Sequence, residues 1–293
     1  MTKKFLEKRF ANLVKGLEVD KGAFTSEMRE KISAHTNYVI LFTARSGSTW
    51  LTSILSATRL LGYPREYINP AFVRGIATAT NSRDASGIIA ILRRRRKTRN
   101  GVFGIEITSP QLQLYGEEEF FKGFEQPPIF FFLWRDNIVA QGISLYRAVN
   151  TKRFHSSDPP TPPPSYDVEE IARWIRQVAH VENRNCLLLR RRGIRPRWIR
   201  YEDIILSRSK TINLFAKVLD VRILPRRWKN ASPQELQKIG DGWNHDAEER
   251  FRADQPDFIA TIEENRRVKW PLRTPRPPDG TALAGDHRAA GNI

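Results

Sequence analysis

The sequence predicts an α/β protein built on a parallel sheet flanked by helices, and three observations lead there. Tyr38–Thr43 and Ile129–Trp134 are short apolar runs of strand length, the pattern of parallel strands covered on both faces. Each is followed by a turn that passes into a helical pattern. Strand-like and helix-like stretches then alternate along the chain, the order that lays helices over a parallel sheet.

Residues 1–37 alternate charged and apolar positions and read as a helical extension. They lack the apolar stretch and small-residue cleavage site of a secretory signal, so no export is expected. The first strand, Tyr38–Thr43, ends in the turn Ala44-Arg45-Ser46-Gly47-Ser48 and enters a helix that carries Trp50, Leu51, Ile54 and Leu55. Further strands are expected over Val102–Ile107, Ile129–Trp134 and Arg197–Tyr201. Helices are expected over Asn137–Val149, over Val168–Leu189 with Gly193 closing it, and over Lys210–Leu219 after a cap at Ser207 or Ser209. The segment Ser156–Tyr166 holds five prolines and reads as an exposed extended loop or lid. The expected organisation is an extension over 1–37, one domain over 38–273 and a disordered tail over 274–293.

The formal net charge of +17, from 49 Lys+Arg against 32 Asp+Glu, implies an anionic partner. Nucleotide phosphates, nucleic acid and an acidic membrane surface all satisfy it, and a peripheral position at the inner membrane face is one expectation. Part of the excess lies in the runs Arg93–Lys97 and Arg190–Arg192, which read as solvated helix ends favoured by the helix dipole. The single cysteine, Cys186, excludes an intrachain disulfide and a cysteine-rich metal cluster, which fits a reducing, cytoplasmic setting. The five histidines show no metal-ligand spacing, so no metal is expected. No apolar run approaches the roughly 20 residues that cross a bilayer.

Two motifs carry chemistry. Arg45-Ser46-Gly47-Ser48-Thr49 stands between a strand's carboxyl end and a helix's amino end, where free N–H groups and the positive helix terminus accept a phosphate. Gly47 allows close backbone approach, Ser48 and Thr49 add hydroxyls, and Arg45 adds a charge. The same turn can also be a plain strand-to-helix connection. No lysine follows the glycine, so the loop is not a Walker A motif. The second motif, Trp134-Arg135-Asp136, follows the third strand and leads into a helix bearing Ser144. Arg135 at that strand end suits a second phosphate, or alternatively an ion pair with Asp136.

In the order RSGST, Gly62-Tyr63-Pro64-Arg65-Glu66-Tyr67, NGVFGIEI, WRDNIVAQGISLYRAVNT and the YED after Arg200, the chain resembles the Stf0-type sulfotransferases, bacterial enzymes that sulfate carbohydrates. The resemblance runs from about Tyr38 to Asp254. It implies a P-loop-like sulfotransferase fold and 3′-phosphoadenylyl sulfate as co-substrate, with adenosine 3′,5′-bisphosphate as product. It further implies a carbohydrate acceptor and a homodimer, and the basic charge adds a glycolipid presented at the membrane face as an acceptor. Arg45, Ser46, Gly47, Ser48 and Thr49 would cradle the 5′-phosphosulfate, Arg135 and Ser144 would hold the 3′-phosphate, and Glu66 would match the general base. Without the resemblance, Glu66 reads as a surface carboxylate paired with Arg65 or another basic group. Lys238, in a late segment loosely similar to the family's, would be a further donor contact. The chain departs from the commoner pattern at Glu106, where that pattern has a lysine. His155, beside the proline loop, stands in reserve as an alternative base.

The rivals are a nucleotide-dependent kinase and a binder of nucleic acid or anionic glycan. A kinase lacks its loop lysine here and an evident Mg²⁺-binding acid pair. A nucleic-acid binder needs exposed aromatics among its basic stripes, whereas Phe130–Trp134 belongs to an expected buried strand.

Overall fold

The computed structural model describes residues 10–154, 158–223 and 242–269. Lys238, His155 and the tail from Thr274 lie outside them. The described elements are α1 (Lys21–Glu30), β1 (Thr36–Leu41), α2 (Ser48–Ala57), α3 (Val73–Thr80), α4 (Ala85–Arg95), β2 (Val102–Ile107), α5 (Ser109–Tyr115), α6 (Glu117–Lys122) and β3 (Ile129–Trp134). After these come α7 (Ile138–Thr151), α8 (Val168–Arg191), β4 (Arg197–Arg200), α9 (Tyr201–Leu206), α10 (Arg208–Val218), α11 (Gly242–Asp254) and α12 (Pro256–Asn265). None of the described helices is long and apolar enough to cross a membrane.

The four described strands lie in the order β2-β1-β3-β4, and every pairing is parallel. Side chains alternate across the strands, and both faces are buried. Val39 and Leu41, Phe103, Ile105 and Ile107, and Phe130, Phe132 and Trp134 face one core, shared with Val73 of α3, Ile88 and Leu92 of α4, Leu112 of α5 and Leu188 of α8. Tyr38, Ile40, Val102, Phe131, Leu133 and Ile199 face the other, with Leu51, Ile54 and Leu55 of α2, Ile204 of α9 and Phe215 of α10. A third cluster joins α7, α8, α11 and α12 through Ile143, Tyr146, Ile175, Val178 and Phe251. Trp243 packs at its edge and stacks on Tyr146 at 6.3 Å.

Ser207 caps α10 by accepting from the Lys210 N–H, and α8 runs through Arg191 before Gly193 turns the chain at φ 63°. Residues 159–167 have no regular secondary structure, as their prolines require. Phe10, Val14, Leu17 and Ala34 pack into the first core, so the segment before β1 is seated on the domain.

The basic run at the end of α4 differs from its expected solvated form. Helical geometry turns Arg93 inward, where it is 1% exposed. Its guanidinium donates to Asn37 Oδ1 at 2.9 Å, the Ala34 carbonyl at 3.0 Å and the Gly123 carbonyl at 3.2 Å, and pairs with Glu125 at 3.3 Å. Arg95 binds Glu27 of α1, and that hydrogen bond holds the Glu27 carboxyl down at about 2. At the end of α8, Arg191 and Arg192 pair with Glu117 and Glu118. Part of the formal excess is thus structural wiring.

Arg93→Ala leaves three buried oxygens without a donor, and Arg93→Lys cannot reproduce the fork that serves them. Urea unfolding should show a loss of about 2 to 4 kcal/mol for the alanine variant and no full rescue by lysine. Two variants of wild-type stability would show that the buried guanidinium ties nothing together.

Candidate active site

The strand order locates the site. From β1 to β2 the chain steps to one side, and from β2 it crosses to β3 on the other side of β1. The carboxyl ends of β1 and β3 therefore border a topological switch point, where open α/β sheets take their ligands. Leu41 at the end of β1 lies beside Phe132 of β3, so the loops that follow open onto one crevice.

After β1, Arg45 adopts φ 61° and Gly47 φ 87°. A Cβ on Gly47 would run into the ring of Tyr201, so both conformation and space require glycine there. Gly47 is the N-cap of α2 and supplies no side-chain acceptor, which leaves the first N–H groups of this helix without a side-chain cap. Ser46 Oγ is buried without a partner. Gln141 of α7 fixes the loop from behind, its Nε2 donating to Thr43 Oγ1 at 2.8 Å and to the Ala44 carbonyl at 2.7 Å.

Arg45 donates from Nε to Ser144 Oγ at 2.9 Å and from Nη1 to the Phe154 carbonyl at 2.7 Å. Burial, and then the charge of Arg135, lower the pKa of its guanidinium. The guanidinium of Arg135 lies over the Tyr201 ring, 4.8 Å from its centroid, and its Nε is buried without a partner. The ion pair between Arg135 and Asp136 is not formed. Asp136 instead meets Lys269 at 3.1 Å and lies 3.9 Å from Arg200.

The YED stretch supports this arrangement. Tyr201, directly after β4, lies beneath both Gly47 and Arg135. Glu202 accepts from the backbone N–H groups of Asp136, at 3.1 Å, and Asn137, at 3.4 Å, which fixes the turn after β3. On the carbonyl side, Arg266 donates to Arg135 O at 2.6 Å and Asp136 O at 2.7 Å. Arg266 is itself fully buried and paired with buried Glu182 at 2.8 Å.

Beside this basic crevice is an acidic one. Glu106 ends β2 on the sheet face that carries α2, is 7% exposed, and donates its N–H to the Arg65 carbonyl at 3.1 Å. The Ser48 hydroxyl favours the ionised form of its carboxyl, while Oε2 is buried without a partner. Burial, reinforced by the charge of Glu66 and opposed by Ser48, pushes the Glu106 carboxyl up to about 8. Glu66 accepts from Gln111 Nε2 and makes no ion pair with Arg65. Gln111 is held in turn by the capping box it forms with Thr108 at the start of α5. The Tyr115 hydroxyl is buried without a partner, and burial and then Glu66 raise its pKa.

Arg45, Ser46, Gly47, Ser48, Arg135 and Ser144 thus share one crevice. Thr49 lies exposed in the first turn of α2. Among the described residues, Glu66 is not joined to the loop by a hydrogen bond; its charge acts on Glu106 and its carboxylate accepts from Gln111. Gln111, Gln141, Tyr201, Glu202 and Arg266 were not singled out as supports of the site; only the YED motif gave a signal, as a polar triplet directly after a strand.

A parallel sheet whose first strand turns through glycine into an uncapped helix, with two arginines at the switch point, belongs to the P-loop-like class of α/β folds. A family model described as Stf0 sulphotransferase matches residues 37–254, and the chain belongs to that sulfotransferase family. Among solved structures, the sulfotransferase domain from the Synechococcus PCC 7002 olefin synthase is similar at 16% identity and a TM-score of 0.48, over 80% of this chain and 95% of that one. No curated protein matches the chain.

The raised value of Glu106 means that the folded protein binds this proton more tightly than the unfolded chain does. Its favourable contribution is complete below about 4.5 and is lost as pH rises through about 8. Glu106→Gln should remove that dependence, gaining on the order of 4 kcal/mol over wild type between pH 5 and pH 9. Parallel denaturation curves for the two proteins across this range would place Glu106 in contact with water instead.

Proposed function

We propose that this sulfotransferase takes its sulfuryl group from 3′-phosphoadenylyl sulfate and delivers it to a hydroxyl of a carbohydrate or glycolipid acceptor. The observation that carries the reading is the hydrogen bond from Arg45 to Ser144, which joins the loop after β1 to the helix after β3 and makes one anion site of two motifs. The residues fit such a donor. Ser46 Oγ and Arg135 Nε are buried without partners, and the start of α2 has no side-chain cap. The bound donor would supply an activated sulfuryl group and depart as adenosine 3′,5′-bisphosphate.

In this reading the N–H groups at the start of α2, with Ser46, Ser48 and Thr49, hold the phosphosulfate end. Arg135 and Ser144 hold the 3′-phosphate. Arg45 stands between them and offsets the negative charge that grows on the leaving oxygen. Glu66, oriented by Gln111, takes the proton of the acceptor hydroxyl as the new bond forms. Residues 38–273 would form the catalytic domain, with 1–37 its helical extension and 274–293 a tail.

Calorimetric titration in metal-free buffer with adenosine 3′,5′-bisphosphate, ATP and AMP tests the donor. The bisphosphate should bind well above the other two, and Arg45→Ala and Arg135→Ala should each weaken it by roughly 1.5 to 3 kcal/mol, the value of a charged hydrogen bond. A preference for ATP with Mg²⁺ would favour a kinase. For the base, Glu66→Gln should keep bisphosphate affinity while lowering turnover by about two to four orders of magnitude, and unchanged turnover would remove Glu66 from the proton transfer.

A further inference from the structure

The carboxyl of Glu106 lies on the sheet face that carries α2 and feels the hydroxyl of Ser48, a member of the proposed donor loop, yet it belongs to none of the roles above. Its backbone N–H donates to the Arg65 carbonyl, which fixes the main chain that carries the group, and its side chain is buried. One carboxyl oxygen is buried without a partner, the situation of a group that holds a proton of its own. The groups around it come from every element packed there. Glu66 and Ser48 act on it directly, Tyr38 of β1 and Tyr67 both feel its charge, and Gln111 and Tyr115 of α5 close the far side of Glu66. Arg65 and Arg96 act on the Tyr67 side, and neither forms an ion pair with Glu106.

We propose that Glu106 is a positioning residue for the donor: the loop accepts an anion when Glu106 carries its proton, so that binding is accompanied by proton uptake from solvent. This rests on the reading that the loop after β1 holds the donor's phosphates. An ionised Glu106 places a second negative charge beside an anion at the start of α2 and draws the Ser48 hydroxyl toward itself. A neutral Glu106 removes the repulsion and leaves that hydroxyl free to turn to the ligand. The proton is bound by the carboxyl oxygen, and no other bond changes.

The test uses the full chain and adenosine 3′,5′-bisphosphate, titrated calorimetrically at pH 7.5 and at pH 9 in buffers of different ionisation enthalpy. Wild type should take up a large fraction of a proton at pH 9 and lose about fivefold to tenfold in affinity between the two values, the slope that one linked proton gives. Glu106→Gln, which mimics the neutral carboxyl, should bind with affinity nearly independent of pH and without that uptake. Equal uptake and equal pH dependence in the two proteins would overturn the inference while leaving the donor site standing. Wild type that does not bind the bisphosphate at all would overturn the donor reading and this inference with it. Should the glutamine variant misfold, wild type alone decides: absence of uptake at pH 9 refutes the linkage.

Discussion

Two guanidinium groups held near one another without a carboxylate between them are the feature on which the rest of this crevice depends. Arg45 and Arg135 repel, and burial strips away much of the water that would otherwise screen them. Neither makes an ion pair among the described residues. The ring of Tyr201, the hydroxyl of Ser144 and the carbonyl of Phe154 supply only partial charges. Such an arrangement is unfavourable while the crevice is empty, and on the proposed reading an entering anion would relieve it, so that the site would be organised toward its ligand beforehand.

Keeping the two arginines unpaired requires that neighbouring carboxylates be engaged elsewhere, and they are. Glu202 is occupied by two backbone N–H groups, Asp136 by Lys269, and Glu182 by Arg266. Each of these contacts also fixes the turn after β3, directly or through Arg266. The same bonds that immobilise Arg135 thereby withhold its natural partners. Arg266 comes from near the end of the described chain and Glu182 from the middle of α8, so the geometry of one strand end is secured by segments distant in sequence. A buried ion pair contributes little net stability when compared with an apolar replacement, but losing one partner leaves the other charge stranded. Here the pair serves the two carbonyls that it holds.

The sheet and the glycine turn after β1 were legible because their signals are local. β2 and β3 span the residues expected of them, since parallel strands buried on both faces are apolar at every position and bounded by turns. The helix after Ser48 was legible for the same reason. β1 begins at Thr36, two residues before its apolar run, because Thr36 and Asn37 pair with Val102 and Phe103 regardless of polarity. Arg93 was misread because a basic run at a helix end resembles a solvated one, and only the packing of Asn37, Ala34 and Gly123 around it shows otherwise. Tyr201 and Gln141 could not be read as supports of the loop, since each meets it across a sequence separation that no local pattern encodes. The likeness to a family ordered the motifs, but distances between them come from the strand order alone.

The charges of the site are segregated, with Arg45 and Arg135 following β1 and β3 and Glu106, within β2, coupled to Glu66, and Ser48 stands at the border. It begins α2, so its N–H belongs to the positive helix terminus, while its hydroxyl acts on the carboxyl of Glu106. In the proposed reading this border separates a donor that must be held by positive groups from an acceptor whose proton must leave toward a negative one. A lysine at position 106 would carry the positive field across that border and onto Glu66. A glutamic acid ends the field at Ser48, and by sharing the neighbourhood with Glu66 it makes two ionised carboxylates there costly. The substitution changes which groups the acceptor side can tolerate in charged form while leaving the arginine crevice intact. On the proposed reading the acceptor side could vary in this way while the donor loop stays as it is, because Glu106 belongs to β2 and the loop follows β1.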